Sequence, residues 1–554
     1  YLIEEHIRNA KIDFPKGYSE NLPQLIHGNA TVVTRIYDII LHIISHSDGR
    51  IDIDSLSTYI NAYQSVTVLK LGELWAIPIM IRLALIENLR RVSARIAIDR
   101  VDRNLADYWA HQMIDTAEKD PKNLILVIAD MARSNPPMGS AFVSELTRQL
   151  KGKGLELAMP LHWIEQQLIE IGMTGVELIN TEVQKQSADQ VSMSNSIGSL
   201  RMFSGIAWNH FVESHSIVDQ ILRNDQFGTY GLMDFTTRDC YRHVIEHISK
   251  NSELSEPEVA QLAIDLTHSK EQTDDLRSLH VGYYLIDQGV HKTKHLARVK
   301  LSAIKKLRQH ISKYTFLIYT FSIFWITTII STFIIYEAYL DTKNAYLLIL
   351  ISLLVIICSS QLAISLVQFF STLIVKPKLL PRMDFSKQIP SHARTLVVIP
   401  VMLTTSDEIE RLIEGLEVRF LANRFDYLHF GLLTDFTDAA QETLPEDDAL
   451  IQLAQLKIGE LNSKYEKEEQ DLFYLFHRPR HWNSQENVWM GYERKRGKLS
   501  ELNGLLRGGA KDRFSLIVGK QTLFPYIQYV ITLDADTQLP LCAACQLIST
   551  ISHH

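Results

Sequence analysis

Two stretches of this chain carry no charged residue at all: Tyr314 to Tyr336, 23 residues, and Ala345 to Val375, 31 residues. At about 1.5 Å of rise per residue, a helix of either length crosses a hydrocarbon layer of about 30 Å. A buried helix of a soluble protein can also be apolar all round, but seldom over such lengths. The connection between them, Glu337 to Asn344, is short, so the pair is expected to form a transmembrane hairpin over 301–376. Arg298, Lys300, Lys305, Lys306, Arg308 and Lys313 precede the first stretch, and Lys376, Lys378 and Arg382 follow the second; the connection offers only Lys343. The preference of basic flanks for the cytoplasmic side places both large flanking regions there, against the lipid bilayer. Ser359-Ser360-Gln361 is expected to mark a bend, or the point where a shorter span gives way to an interfacial helix.

Residues 1–300 are expected to form an all-α region. Over Thr67 to Arg91, Leu69, Leu71, Leu74, Trp75, Ile77, Ile81, Leu85 and Leu89 recur near helical spacing, with a kink expected at Pro78. Ser255 caps a further helix that carries Pro257 in its first turn, and Ser216 to Arg223 is a shorter candidate. His243 and His247 share a helix face, but no Glu directly follows His243, and ordinary histidines are expected rather than a metal site. The purpose of this region is not legible in its residues.

Beyond the apolar pair, over 377–554, the pattern alternates. Thr395-Leu-Val-Val-Ile-Pro400-Val401 is a buried strand, and Ser406 can cap the helix that follows, with Ile409, Leu412, Ile413 and Leu416 on one face. Tyr427 to Leu433 is a second strand, Asp448 to Leu461 a helix, Leu472 to Phe476 a third strand and Tyr529 to Leu533 a fourth. Such alternation predicts an α/β domain with a mainly parallel sheet, whose ligands gather at the carboxyl ends of its strands. Asp435, His477, Asp534 and Asp536 all fall at such ends. Residues i and i+2 of a strand point to one side, so Asp534 and Asp536 could converge on Mg²⁺ or Mn²⁺, a ligand's phosphates supplying further oxygens. Asp-Ala-Asp-Thr could equally cap a turn. Between the third and fourth strands, Gly497 can open a helix whose free N–H groups, with Lys498, meet a phosphate. Arg494, Lys495 and Arg496 could add contacts to a diphosphate, or simply form a solvated basic loop.

Composition narrows the reading. A net charge of −8 and a pI near 6.2 argue against nucleic acid as a partner. The four cysteines make no disulfide framework, and Cys542-Ala-Ala-Cys545 lacks a second pair for zinc, so both are expected as small core residues. The chain starts at Tyr1 without a methionine and stops at His553-His554, and is expected to be a piece of something longer.

The carboxy-terminal part resembles a family-2-type glycosyltransferase of GT-A (Rossmann-like) fold, here incomplete. More closely, the chain resembles the amino-terminal part of the bacterial cyclic β-1,2-glucan synthases. The matching runs are Gly72-Glu-Leu-Trp-Ala-Ile-Pro-Ile79, Glu87-Asn-Leu-Arg-Arg91, Gln190-Val-Ser-Met-Ser-Asn-Ser-Ile-Gly-Ser-Leu-Arg201, Met233-Asp-Phe-Thr-Thr-Arg238, His280-Val-Gly-Tyr-Tyr-Leu-Ile286 and Glu493-Arg-Lys-Arg-Gly-Lys498. The resemblance implies a multi-pass protein of the bacterial inner membrane that uses UDP-glucose and Mg²⁺ or Mn²⁺ to extend a growing β-1,2-glucan. It implies that Asp435 contacts the uridine and that Asp534 and Asp536 hold the metal and the nucleotide. Arg496 and Lys498 would steady the diphosphate, and Asn503 would support their helix. His477 is a further candidate from its place at a strand end alone.

The family's later carboxylate base, acceptor-side motif and further membrane helices would lie beyond His554, in a downstream remainder of the same polypeptide. Inverting transfer needs that base, so only the donor half of a site is expected here. A different UDP-sugar polymer, or a truncated non-catalytic membrane module, are the competing expectations.

Overall fold

The computed structural model describes residues 2–13, 18–27, 31–268, 276–300, 314–342, 344–375, 377–465, 471–509 and 511–553. Lys305, Lys306, Arg308, Lys313, Lys343 and Lys376, which carried much of the charge asymmetry, lie outside the described residues. The chain divides into two compact units, Tyr1–Ile221 and Leu222–His554.

Among its described residues, the regular structure of the first unit is helical apart from one antiparallel pair, β1 (Gln24–His27) and β2 (Thr31–Thr34). That pair departs from the all-α expectation; its strands are too short to leave a period-2 signal in the sequence. Helix α1 (Arg35–His46) leads to α2 (Leu71–Lys119), which is 49 residues long and continues through Pro78. Its first half buries Leu74, Ile77, Ile81 and Leu85 against Ile36 and Ile40 of α1. The second half buries only small or sparse apolar residues, Ala106, Ala110 and Met113, and is joined by charge to α3 (Gly175–Phe203). Arg95 pairs there with Asp189, and Lys185 lies 2.7 Å from Asp99. Weak hydrophobic periodicity over 92–119 is thus compensated by side-chain pairing, which needs a partner helix far away in sequence.

In the second unit, Ser255 caps a helix: its N–H donates to Glu258 Oε2 at 2.7 Å, and the helix runs Glu256–Thr267 with Pro257 in its first turn. The preceding helix α4 (Phe235–Ser249) holds His243, 3.3 Å from Asp239; hydrogen bonding to that carboxylate raises the imidazole's pKa to about 9. The two apolar stretches form helices α5 (Thr315–Asp341) and α6 (Ala345–Ile374), long and apolar enough to cross a membrane. Few of their side chains are buried, unlike those of a soluble core helix: Ser331 on α5 and Ser359, Ala363 and Val367 on α6. Small residues where helices meet let backbones approach closely. α5 runs five residues past the apolar stretch, and Asn344 Oδ1 caps α6 by accepting from Tyr346 N–H at 3.1 Å. Ser359-Ser360-Gln361 continues the helix; Ser360 Oγ donates back to the Ile357 carbonyl at 2.7 Å.

The α/β part is built from β3 (Thr395–Leu403), α7 (Ser406–Ala422), β4 (Leu428–Phe436), α8 (Asp447–Lys464) and β5 (Phe473–His477). There follow a small hairpin of β6 (His481–Asn483) and β7 (Val488–Met490), helix α9 (Arg494–Leu506), β8 (Leu516–Val518), β9 (Tyr529–Thr532) and α10 (Ala543–Ile551). One sheet has the order β8-β5-β4-β3-β9, parallel except for β8. Every residue of central β4 is buried. One face packs Phe430 and Leu432 on Leu416 and Phe420 of α7 and Ile458 of α8; the other packs Leu433 on Leu502 and Leu506 of α9. Burial on both faces is why these strands read as continuous apolar runs. Thr405, one residue before the expected Ser406, caps α7 by accepting from Glu408 N–H at 3.3 Å. The Cys-x-x-Cys pair divides: Cys545 is buried as expected, whereas Cys542 is exposed at the start of α10.

Candidate functional site

Register sets the first half of the site. β4 pairs with β3 so that Asp435 lies beside Met402, and with β5 so that Thr434 lies beside His477. The residue after His477 therefore meets the residue after Thr434. Arg478 donates from Nε to Asp435 Oδ1 at 2.8 Å and from Nη2 to Oδ2 at 2.9 Å, with both side chains buried. Its Nη1 reaches Glu501 Oε2 of α9 at 2.7 Å. Lys498, on the same helix, places Nζ 3.2 Å from Asp435 Oδ2 and donates to the Val401 carbonyl at 2.7 Å. Burial works against the charge on Lys498 and lowers its pKa, and Asp435 partly offsets this. For Arg478, burial also opposes the charge, but the hydrogen bonds and charges of Asp435 and Glu501 together outweigh it and the pKa rises.

Two glycines let the chain pass here. A Cβ at Gly491 would stand 2.3 Å from Asp435 Oδ2, and one at Gly497 would stand 2.1 Å from the Tyr492 carbonyl oxygen. Glu493 and Arg494, with φ of 51° and 46°, turn the chain into α9. The helix therefore opens at Arg494 and not at Gly497, whose N–H is spent on the Glu493 carbonyl at 3.2 Å. Gly497 thus does not offer the free N–H expected of it. A cavity of about 200 Å³ lies over these elements, lined by Val401, Met402, Asp435, Arg494, Lys495 and Lys498 among others.

The second half of the site stands at the sheet edge. β9 ends at Thr532, and Asp534 to Thr537 form a turn in which Thr537 N–H donates to the Asp534 carbonyl at 3.0 Å. The Asp-Ala-Asp is thus a turn beyond the strand, and strand alternation does not align its carboxylates, contrary to the first expectation. Arg419 of α7 holds the turn from its backbone, donating to the Ala535 carbonyl at 2.6 Å and the Thr537 carbonyl at 2.7 Å. Lys495, in the first turn of α9, forms an ion pair with Asp534, and Asp536 is exposed. Among the described residues no group of three or more His, Cys, Asp or Glu is placed to hold a metal. Two exposed carboxylates are nonetheless the right donors for a hard divalent cation that takes its remaining oxygens from phosphate and water.

The other candidates scatter. Arg496 is exposed and lies 3.5 Å from Glu493. Asn503 is exposed and lines a separate cavity of about 390 Å³, with Leu499, Leu506 and Tyr529. His477 is buried; its Nδ1 is 2.9 Å from Thr434 Oγ1, and its Nε2 has no hydrogen-bond partner among the described residues. Burial lowers its pKa to about 4, so it is a neutral packing group against the Phe436 ring, 4.4 Å away. Arg478, Glu501 and Arg419 are site residues beyond those the sequence motifs point to; the run His477-Arg478-Pro-Arg480 at a strand end is the signal the sequence carries for Arg478.

Fold and site together define a protein with a helical unit, two helices long and apolar enough to cross a membrane, and an α/β sheet that gathers charged side chains at its carboxyl edge. No family model matches the chain. Over its whole length the chain is 31% identical to the cyclic β-(1,2)-glucan synthase NdvB of Rhizobium meliloti (strain 1021), and it spans 19% of that protein's length. The likeness to the cyclic β-1,2-glucan synthases therefore holds along the entire chain.

Proposed function

We propose that this chain forms the donor-binding part of an inverting membrane glycosyltransferase of GT-A fold, which takes glucose from UDP-glucose to build β-1,2-glucan. The observation that carries this reading is the meeting of Asp435 and Lys498 in one cavity at the ends of β3 and β4, with Lys495 linking the same helix to Asp534. Likeness to a glucan synthase over the full chain supports the reaction class.

In this reading Asp435 orients the nucleobase, while Lys498 neutralises that buried carboxylate and holds it against the sheet. Lys495 and Arg494, more exposed and lining the cavity, take the diphosphate. Asp534 and Asp536 hold Mg²⁺ or Mn²⁺, which when bound supplies charge neutralisation to the leaving diphosphate. Arg419 keeps their turn in place. The proton of the acceptor hydroxyl is assigned to no residue of this chain. The protein sits in a bacterial inner membrane, with the regions on either side of the hairpin, 1–300 and 377–554, both cytoplasmic.

Calorimetric titration of UDP-glucose into the detergent-purified chain, with Mg²⁺ and then with EDTA, tests this. Saturable, metal-dependent binding is expected; a folded protein that binds no UDP-glucose under either condition overturns the reading.

A further inference from the structure

We infer that Arg478 is a positioning residue that sets the direction of the one acceptor Asp435 has left, and thereby the nucleobase preference of the site. The inference rests on the nucleotide-binding reading above. A carboxylate has about four acceptor positions, two on each oxygen. On Asp435, Oδ2 accepts from Arg478 Nη2 at 2.9 Å, and Lys498 Nζ stands against it as an ion pair at 3.2 Å, so that the two cations cover it. Gly491 closes on that same oxygen so tightly that a Cβ there would stand 2.3 Å away. Oδ1 receives Arg478 Nε at 2.8 Å and no other donor among the described residues. One lone pair on Oδ1 is therefore uncommitted, in a side chain that lines the cavity. It suits a single N–H donor on a planar ring.

The direction of that lone pair is fixed by the plane of the carboxylate, and the plane is fixed by the two parallel bonds from Arg478. The guanidinium is itself pinned. Nη1 bonds Glu501 Oε2 at 2.7 Å, and Nη2 also reaches the carbonyls of Tyr492 and Arg494, each at 3.3 Å. Arg478 thus ties the end of β4 to the entry and the second turn of α9 while remaining almost wholly buried. A lysine would keep the charge but could not make the paired bonds, so it would leave the carboxylate free to rotate.

A staple that only held the fold would weaken all ligands alike. A positioning role acts on one contact, so the probe pair is UDP and N3-methyl-UDP, which differ by the ring N–H. Both are titrated with Mg²⁺ into the full detergent-purified chain, as wild type, Arg478→Lys and Glu501→Gln, each checked for folding by thermal unfolding. The wild type is expected to prefer UDP by roughly tenfold or more, the scale of one hydrogen bond to a charged group. In Arg478→Lys that preference narrows to about threefold or less, with the affinity for N3-methyl-UDP nearly unchanged. Equal weakening of both ligands, with the preference intact, overturns the positioning role and leaves nucleotide binding standing. A wild type that binds neither ligand overturns the nucleotide reading and this inference with it. If Arg478→Lys does not fold, Glu501→Gln carries the test, since it takes the charge from one anchor of the guanidinium and alters no contact to Asp435. Narrowed preference then supports the role, and unchanged preference overturns it.

Discussion

Asp435 and Asp534 occupy equivalent places, each just at or past the carboxyl end of a parallel strand, and each meets a lysine from the opening turns of α9. Their surroundings are opposite. The side chains of Asp435 and Lys498 are each 4% exposed, while those of Asp534 and Lys495 are 60% and 52% exposed. Sheet order is the cause: β4 is flanked by β3 and β5, whereas β9 is the end strand of the sheet among the described residues. One carboxylate is locked by its neighbours, and the other is open to solvent. In the proposed reading the rigid half would meet the nucleobase, and the open half would exchange its lysine for a cation.

The sharpest way to break the comparison is to remove the partner of the locked carboxylate. Arg478→Ala leaves Asp435 and Glu501 without their shared cation, and truncating one side of a buried pair costs about 3–5 kcal/mol. A chemical denaturation midpoint lowered by that much is expected; a loss under about 1 kcal/mol would mean that water reaches Asp435 freely.

Acid should act on the buried histidines of this sheet. His477 and His429 are each lowered to a pKa of about 4, by burial first, with Arg394 adding to the effect at His429. Their folded pKa lies below the ordinary value of 6.5, so the unfolded chain binds protons more readily. The contribution of these two histidines to stability is therefore full above about pH 6.5 and is lost as pH falls toward 4, by a few kcal/mol in all. His477→Gln is expected to flatten part of that slope between pH 6.5 and 4. An unchanged slope would place the titration elsewhere.

The smallest effect belongs to the open side. Lys495→Ala is expected to change stability by less than about 0.5 kcal/mol, as exposed ion pairs contribute little. It should raise the affinity for Mn²⁺ alone, titrated without nucleotide, by roughly twofold to fivefold, because the ammonium no longer competes for Asp534. A fall in Mn²⁺ affinity would show that Lys495 helps to hold the turn.

Much of this contrast was legible in the residues, and what was missed has a physical pattern. Charge-free runs long enough to cross a membrane and doubly buried strands both write themselves as local apolar segments. The β4–Asp435 boundary was readable for that reason. Arg478 was not, because its role depends on a partner 43 positions earlier that only sheet register brings within reach. The Asp-Ala-Asp was read as the end of a strand because Leu533 continues the apolar run; pairing with β3 ends at Thr532, and the chain turns. Gly497 looked like a helix start because a Gly-Lys pair commonly opens one. The left-handed backbone at Glu493 and Arg494, which moves the start three residues earlier, leaves no such mark.

The most direct test of a site in two halves measures UDP-glucose affinity with Mn²⁺ and with EDTA in three proteins: wild type, Asp435→Asn and Asp536→Ala. The account predicts that Asp536→Ala loses the increment that Mn²⁺ brings but keeps the weaker metal-independent binding, and that Asp435→Asn is impaired under both conditions. Equal losses in the two variants, irrespective of metal, would contradict it.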